Sequence, residues 1–154
     1  MKIKTLLLLS LRAALGSLFL VSGFQKLAAP YQNFAAVIEK FEIIHGPGAQ
    51  FLAQMLPWAE FTAGVFFVAG FWEPFCLSAL WAMNTAFIGI LISALTRKLS
   101  IDSCGCFGDA VTLSLPKILA LDISLWVLFL VYFFGSRRCQ APGLDRMFGT
   151  NARG

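Results

Sequence analysis

Cys104-Gly105-Cys106, within the run Asp102-Ser103-Cys104-Gly105-Cys106-Phe107-Gly108-Asp109, is the strongest chemical signal in the chain. Two thiols separated by a single residue can come within disulfide range, although the ring they close is small and strained. Gly105 relieves part of that strain because glycine can take positive φ. Strained, exposed disulfides are the more oxidising and labile ones, and a bridge that closes almost no chain does little bracing. A pair that exchanges with a partner thiol is therefore the leading reading of Cys104 and Cys106. Two others stand beside it. Two thiolates would suit a soft metal such as copper(I), although no His or Met lies close by in sequence. A purely structural turn is the third. Cys76 and Cys139 read as a small apolar filler and a tail thiol, and about a whole membrane span separates Cys76 from Cys104, which disfavours direct exchange between them.

Arg12, Glu60, Asn84 and Asp122 are the next candidates. All four fall inside long apolar segments, where an ionisable group is costly and a functional suspect by default. Counting the helical rise, Arg12 lies about 10 Å and Glu60 about 14 Å from the same membrane face. The expectation is an Arg12–Glu60 ion pair between the first and second spans, which Asn84, near the middle of the third, could join. Asp122 is expected to meet Lys26 or Lys117. Such a polar centre could fix helix register, or it could handle a proton or a quinone head group. His45, in His45-Gly46-Pro47-Gly48, reads as a turn residue rather than a ligand.

The elements that must position these residues are membrane spans. Of 154 residues, 58% are hydrophobic and 13% charged, against about a quarter charged in a soluble domain. The 16 Phe and 4 Trp are more than a small water-soluble core could hide, and mean hydropathy is +0.78. Residues 5–27, 49–71, 74–95 and 115–134 are each long enough for a hydrocarbon layer of about 30 Å. Backbone groups in lipid must pair within their own segment, so all four are read as helices. The fold class expected is all-α, an integral membrane four-helix bundle over residues 1–138. Membrane lipid is the expected surrounding, and no nucleic-acid partner is expected.

Shorter signals fill in the layout. Phe34, Val37, Ile38 and Phe41 share one helical face, which predicts a short interfacial helix in the first long connection, lying on the membrane surface or capping the bundle. Pro116 suits the first turn of the last span. The start, Met1-Lys2-Ile3-Lys4 before an apolar run, also has the look of a signal peptide. Arg12 interrupts that run and no small-x-small site follows cleanly, so a retained span is preferred. Lys2, Lys4, Arg137, Arg138, Arg146 and Arg153 lie on one side, and Lys40, Arg97 and Lys98, with Lys26 and Lys117 at the helix ends, on the other, a modest bias that predicts both termini in the cytoplasm. Residues 139–154 read as a cytoplasmic tail.

Ser22-Gly23-Phe24-Gln25-Lys26-Leu27 with Pro30, Leu56-Pro57-Trp58-Ala59-Glu60 with Gly64 and Gly70, and Cys104-Gly105-Cys106-Phe107-Gly108 carry a resemblance. Over about residues 10–135 the chain resembles the DoxX-like group of small bacterial membrane proteins and, within it, the methylamine-utilisation MauE family. The cysteine motif narrows the resemblance to a redox-associated branch; Cys76, Cys139 and the tail lie outside the pattern. The resemblance implies four spans in a bacterial inner membrane and a supporting role in making periplasmic methylamine dehydrogenase. It also implies a thioredoxin-like periplasmic partner and a disulfide-rich client. A non-catalytic scaffold that recruits a maturation factor, or a soft-metal delivery protein, remains the alternative. No cofactor is required by these readings, though a quinone is a candidate electron acceptor.

Overall fold

The computed structural model describes residues 3–98 and 115–138. Five helices follow in order: α1 Ile3–Ala28, α2 Tyr31–Lys40, α3 Pro47–Ala69, α4 Glu73–Thr96 and α5 Leu115–Arg138. All but α2 are long and apolar enough to cross a membrane. They pack up-down-up-down, so the expected all-helical four-span bundle is observed, and the described residues contain no strand. One end of the bundle gathers the start of α1, the α3–α4 turn and the end of α5. The other, here the loop end, gathers the α1–α3 connection and the points where the chain leaves α4 and enters α5.

The outside of the bundle explains its solvent. Phe51, Phe75 and Phe134 are 63%, 66% and 61% exposed, while Arg12, Lys26, Glu60, Asn84 and Asp122 are all buried. An apolar exterior around polar interior groups is stable only where lipid replaces water outside.

α1 and α3 make the closest helix pair, and glycines permit it. At Gly23 an added Cβ would lie 2.7 Å from the Phe61 nitrogen and 2.9 Å from the Pro57 carbonyl oxygen; at Gly64 it would lie 2.9 Å from the Leu20 nitrogen. Without lipid-to-protein hydrophobic gain, such backbone approach is how spans gain packing energy. It also locks an antiparallel register with Gly23 level with Phe61 and Leu20 level with Gly64. In that register the first turns of α3 project past α1 at the loop end, where α2 covers them.

α2 is the short helix expected from the Phe34–Phe41 periodicity, and it caps the bundle. Phe34 and Ala35 pack on Ala53 of α3, and Phe41, just past its end, packs with Leu91 of α4 and Leu115 of α5. The Glu42–Arg97 pair at 2.9 Å fastens this end to α4; being exposed, it adds at most about 1 kcal/mol. His45 lies exposed in the connection to α3. The α3–α4 turn closes on Gly70, whose φ of +71° gives the left-handed helix end, with the Phe71 N–H donating to Phe66 O at 2.9 Å. Glycine takes that conformation without a Cβ clash.

Candidate functional site: a polar layer between two apolar clusters

Leu15, Phe67, Leu80, Phe129 and Tyr132 belong to an apolar cluster towards the terminal end. A second, around Leu91 and Leu115, fills the loop end. Between them lies a cavity of about 70 Å³ reached by all four spans. α1 contributes Ser22 and Lys26, α3 Glu60, α4 Asn84 and α5 Asp122. Each sits on the inward face of its helix for the reason given above: the outward face meets lipid.

Lys26 is the centre of the layer. Its ammonium donates to Glu60 Oε2 at 2.7 Å and Oε1 at 2.9 Å, with side chains 5% and 10% exposed. Ser22 Oγ donates to Glu60 Oε2 at 3.3 Å. The Phe34 ring of α2 lies over Lys26 Nζ at 5.0 Å to its centroid, a cation–π contact that closes the loop-end side. A lysine so near a helix end would ordinarily reach outwards to the interface; here it turns inwards to a carboxylate.

The expected Arg12–Glu60 pair is not formed. Glu60 is held by Lys26, and Arg12 lies 3.7 Å from Glu73 Oε2 at the start of α4. Only with α1 and α3 flush at both ends would Arg12 and Glu60 share a depth. The glycine-set register slides α3 towards the loop end, bringing Glu60 level with Ser22–Lys26 and Arg12 level with the α3–α4 turn. The pocket expected around Arg12 and Glu60 is thus two separate places. Asn84 does join the Lys26–Glu60 layer. Asp122 does meet Lys26 in that cavity, but among the described residues it forms no close ion pair with Lys26 or Lys117: the Lys26 ammonium is engaged with Glu60, and Asp122 Oδ2 has no hydrogen-bond partner.

Two residues of the second place were missed in the sequence. Tyr132 Oη donates to Glu73 Oε1 at 2.5 Å, so Arg12, Glu73 and Tyr132 tie α1, α4 and α5 together at the terminal end. Glu73 and Tyr132 are not among the residues the sequence singles out, and nothing in the spacing links a carboxylate to a tyrosine 59 residues away. Tyr132→Phe should therefore destabilise by about 1–2 kcal/mol, the scale of a hydrogen bond to a charged acceptor with partial solvent access. Unfolding in mixed micelles, followed by helicity, would measure it. Cys76 is buried among these apolar side chains, its Sγ 3.5 Å from the Phe71 carbonyl, in keeping with an apolar filler. Cys104, Cys106 and Cys139 lie outside the described residues.

Residues 4–135 match the family model described as methylamine utilisation protein MauE. The chain belongs to the MauE family. No curated protein and no solved structure matches the chain. The MauE match includes every residue of the polar layer and the whole Cys104-Gly105-Cys106 motif, and stops short of the tail. Membership places this four-span membrane protein in methylamine utilisation.

Proposed function

We propose that this MauE-family protein lies in the bacterial inner membrane with both termini in the cytoplasm. There it supports maturation of a periplasmic enzyme, methylamine dehydrogenase or a similar one, through thiol/disulfide exchange at Cys104 and Cys106. The observation that carries the reading is the family match extending over the cysteine motif. Chain connectivity supports it: the segment with both cysteines leaves α4 after Lys98 and re-enters at Leu115, so it is anchored at the loop end. The excess of Lys and Arg near the termini supports a periplasmic loop end.

In this reading a reduced client, or a thioredoxin-like carrier, supplies two thiols. One thiolate attacks a sulfur of the Cys104–Cys106 disulfide and a mixed disulfide forms. The second client thiolate displaces it. The client gains one disulfide, and two electrons and two protons remain with Cys104 and Cys106 as thiols. A membrane quinone is the class of acceptor proposed for re-oxidation, taking those two electrons and two protons and leaving as the quinol.

The test is thiol trapping in intact cells with a membrane-impermeant alkylating reagent, before and after strong reductant. Cys104 and Cys106 are expected to resist labelling at rest, to label after reduction, and to yield mixed disulfides when one of them is changed to serine. Labelling of Cys139 instead, with the pair silent after reduction, would mean the opposite orientation. A Cys104→Ser/Cys106→Ser double variant that still supports enzyme maturation would make the protein a scaffold, with the cysteines only shaping a loop.

A further inference from the structure

Among the described residues the polar layer is one positive charge short. Its cavity is lined by two of their carboxylates, Glu60 and Asp122, and by one cation, Lys26. Lys26 is committed, with two of its three N–H donors on Glu60 and its face towards the Phe34 ring. Asp122 is 8% exposed and Asn84 4% exposed, yet Asp122 Oδ2 and Asn84 Oδ1 have no hydrogen-bond partner. Buried acceptors are rarely left so, because each then carries its full desolvation cost. Asp122 and Asn84 come from two different helices and line the same cavity, and among the described residues neither of these oxygens has a hydrogen-bond partner.

We infer that this cavity is a binding site for a small protonated primary amine. A ligand that satisfies the layer must bring positive charge and at least two hydrogen-bond donors, one for the Asp122 carboxylate and one for the Asn84 carboxamide. An R–NH3⁺ group does both: it has three donors and no acceptor. Its bond to the Asp122 carboxylate is charge-assisted and so among the stronger kind. Apart from Ser22 the remaining wall is apolar, formed by Leu18, Phe19, Leu56, Met83, Phe87 and Leu125, which suits a short alkyl group. A volume of about 70 Å³ has room for only a few water-sized groups, so the alkyl part is small. A metal ion would lack a sufficient set of oxygens here, since one carboxylate is already held by Lys26. The assignment does not depend on the cysteine chemistry proposed above.

The direct test is calorimetric titration of the full chain in lipid nanodiscs with methylammonium, the smallest alkyl member of the class. Tetramethylammonium and potassium serve as comparison ions. Saturable binding of methylammonium is expected, with tetramethylammonium weaker by about tenfold or more, because it carries the charge without N–H donors. Asp122→Asn removes the charge and keeps the shape, and should lower affinity by about tenfold or more on the same grounds. Asn84→Leu is the second variant, and should weaken binding while the helicity of both variants stays that of the parent. Equal binding of tetramethylammonium and methylammonium would overturn the inference. So would full affinity in a folded Asp122→Asn protein, or absence of saturable heat at millimolar methylammonium.

Discussion

Lys26→Met should be the most damaging single change in the polar layer, costing about 3–5 kcal/mol of bundle stability, the scale for removing one partner of a buried pair. The direction of the asymmetry is the sharper part. Among the described residues Lys26 is the one cation on the cavity, and Glu60 and Asp122 are both carboxylates. Removing Lys26 leaves two buried carboxylates on one cavity with no cation among the described residues that line it. Removing Glu60, as in Glu60→Gln, leaves Lys26 beside Asp122, and a four-carbon side chain can turn to a new carboxylate. Glu60→Gln should therefore cost less than Lys26→Met. The double variant Lys26→Met/Glu60→Leu should recover much of the single-variant loss, because an apolar replacement of both partners removes the desolvation cost along with the attraction. Unfolding of the purified protein in mixed micelles, with all three variants under one condition, measures the order. If Glu60→Gln proved as costly as Lys26→Met, Lys26 would not be reaching Asp122, and the pair would act as a closed unit.

The spans were legible because they rest on length and composition. Each apolar segment had to be a helix once lipid was the solvent, and Phe34, Val37 and Phe41 marked the capping helix by periodicity alone. The pairing of charges was not legible. It depends on the axial offset of α1 against α3, and that offset is set by which small residues meet which backbone atoms. Gly16 and Gly23 are of a residue type able to pack helices closely. That Gly23 would seat on Pro57 and Phe61, and Gly64 on Leu20, is a property of the folded pair. A shift of a turn or two is enough to exchange Arg12 for Lys26 as the partner of Glu60. Glu73 was hidden for a related reason. It lies at a helix start, where a carboxylate ordinarily faces water and favours the helix dipole, and only the register brings Arg12 to it.

Gly23→Val should part α1 from α3 and loosen the polar layer with them. The atoms an added Cβ would meet at Gly23 are the Phe61 nitrogen and Pro57 oxygen, at 2.7 and 2.9 Å. Both are backbone, so no rotamer change relieves the contact and one helix must move. Overpacking of this kind costs about 1–3 kcal/mol or more, and a β-branched residue should sit at the upper end. Gly16→Ala meets Val68 Cγ2 at 2.5 Å but backbone only at 3.2 Å, so a side-chain adjustment absorbs part of the strain and its cost should be smaller. Gly89→Ala meets nothing within 4 Å and should be neutral or slightly stabilising, since alanine favours the helix by up to about 1 kcal/mol. The order Gly23→Val, then Gly16→Ala, then Gly89→Ala is read from unfolding midpoints in mixed micelles. Because Gly23 lies between Ser22 and Lys26, a displaced α1 also draws the ammonium away from Glu60 and uncovers the carboxylates. Methylammonium affinity should therefore fall in Gly23→Val although no cavity side chain has changed, and it should be unaltered in Gly89→Ala.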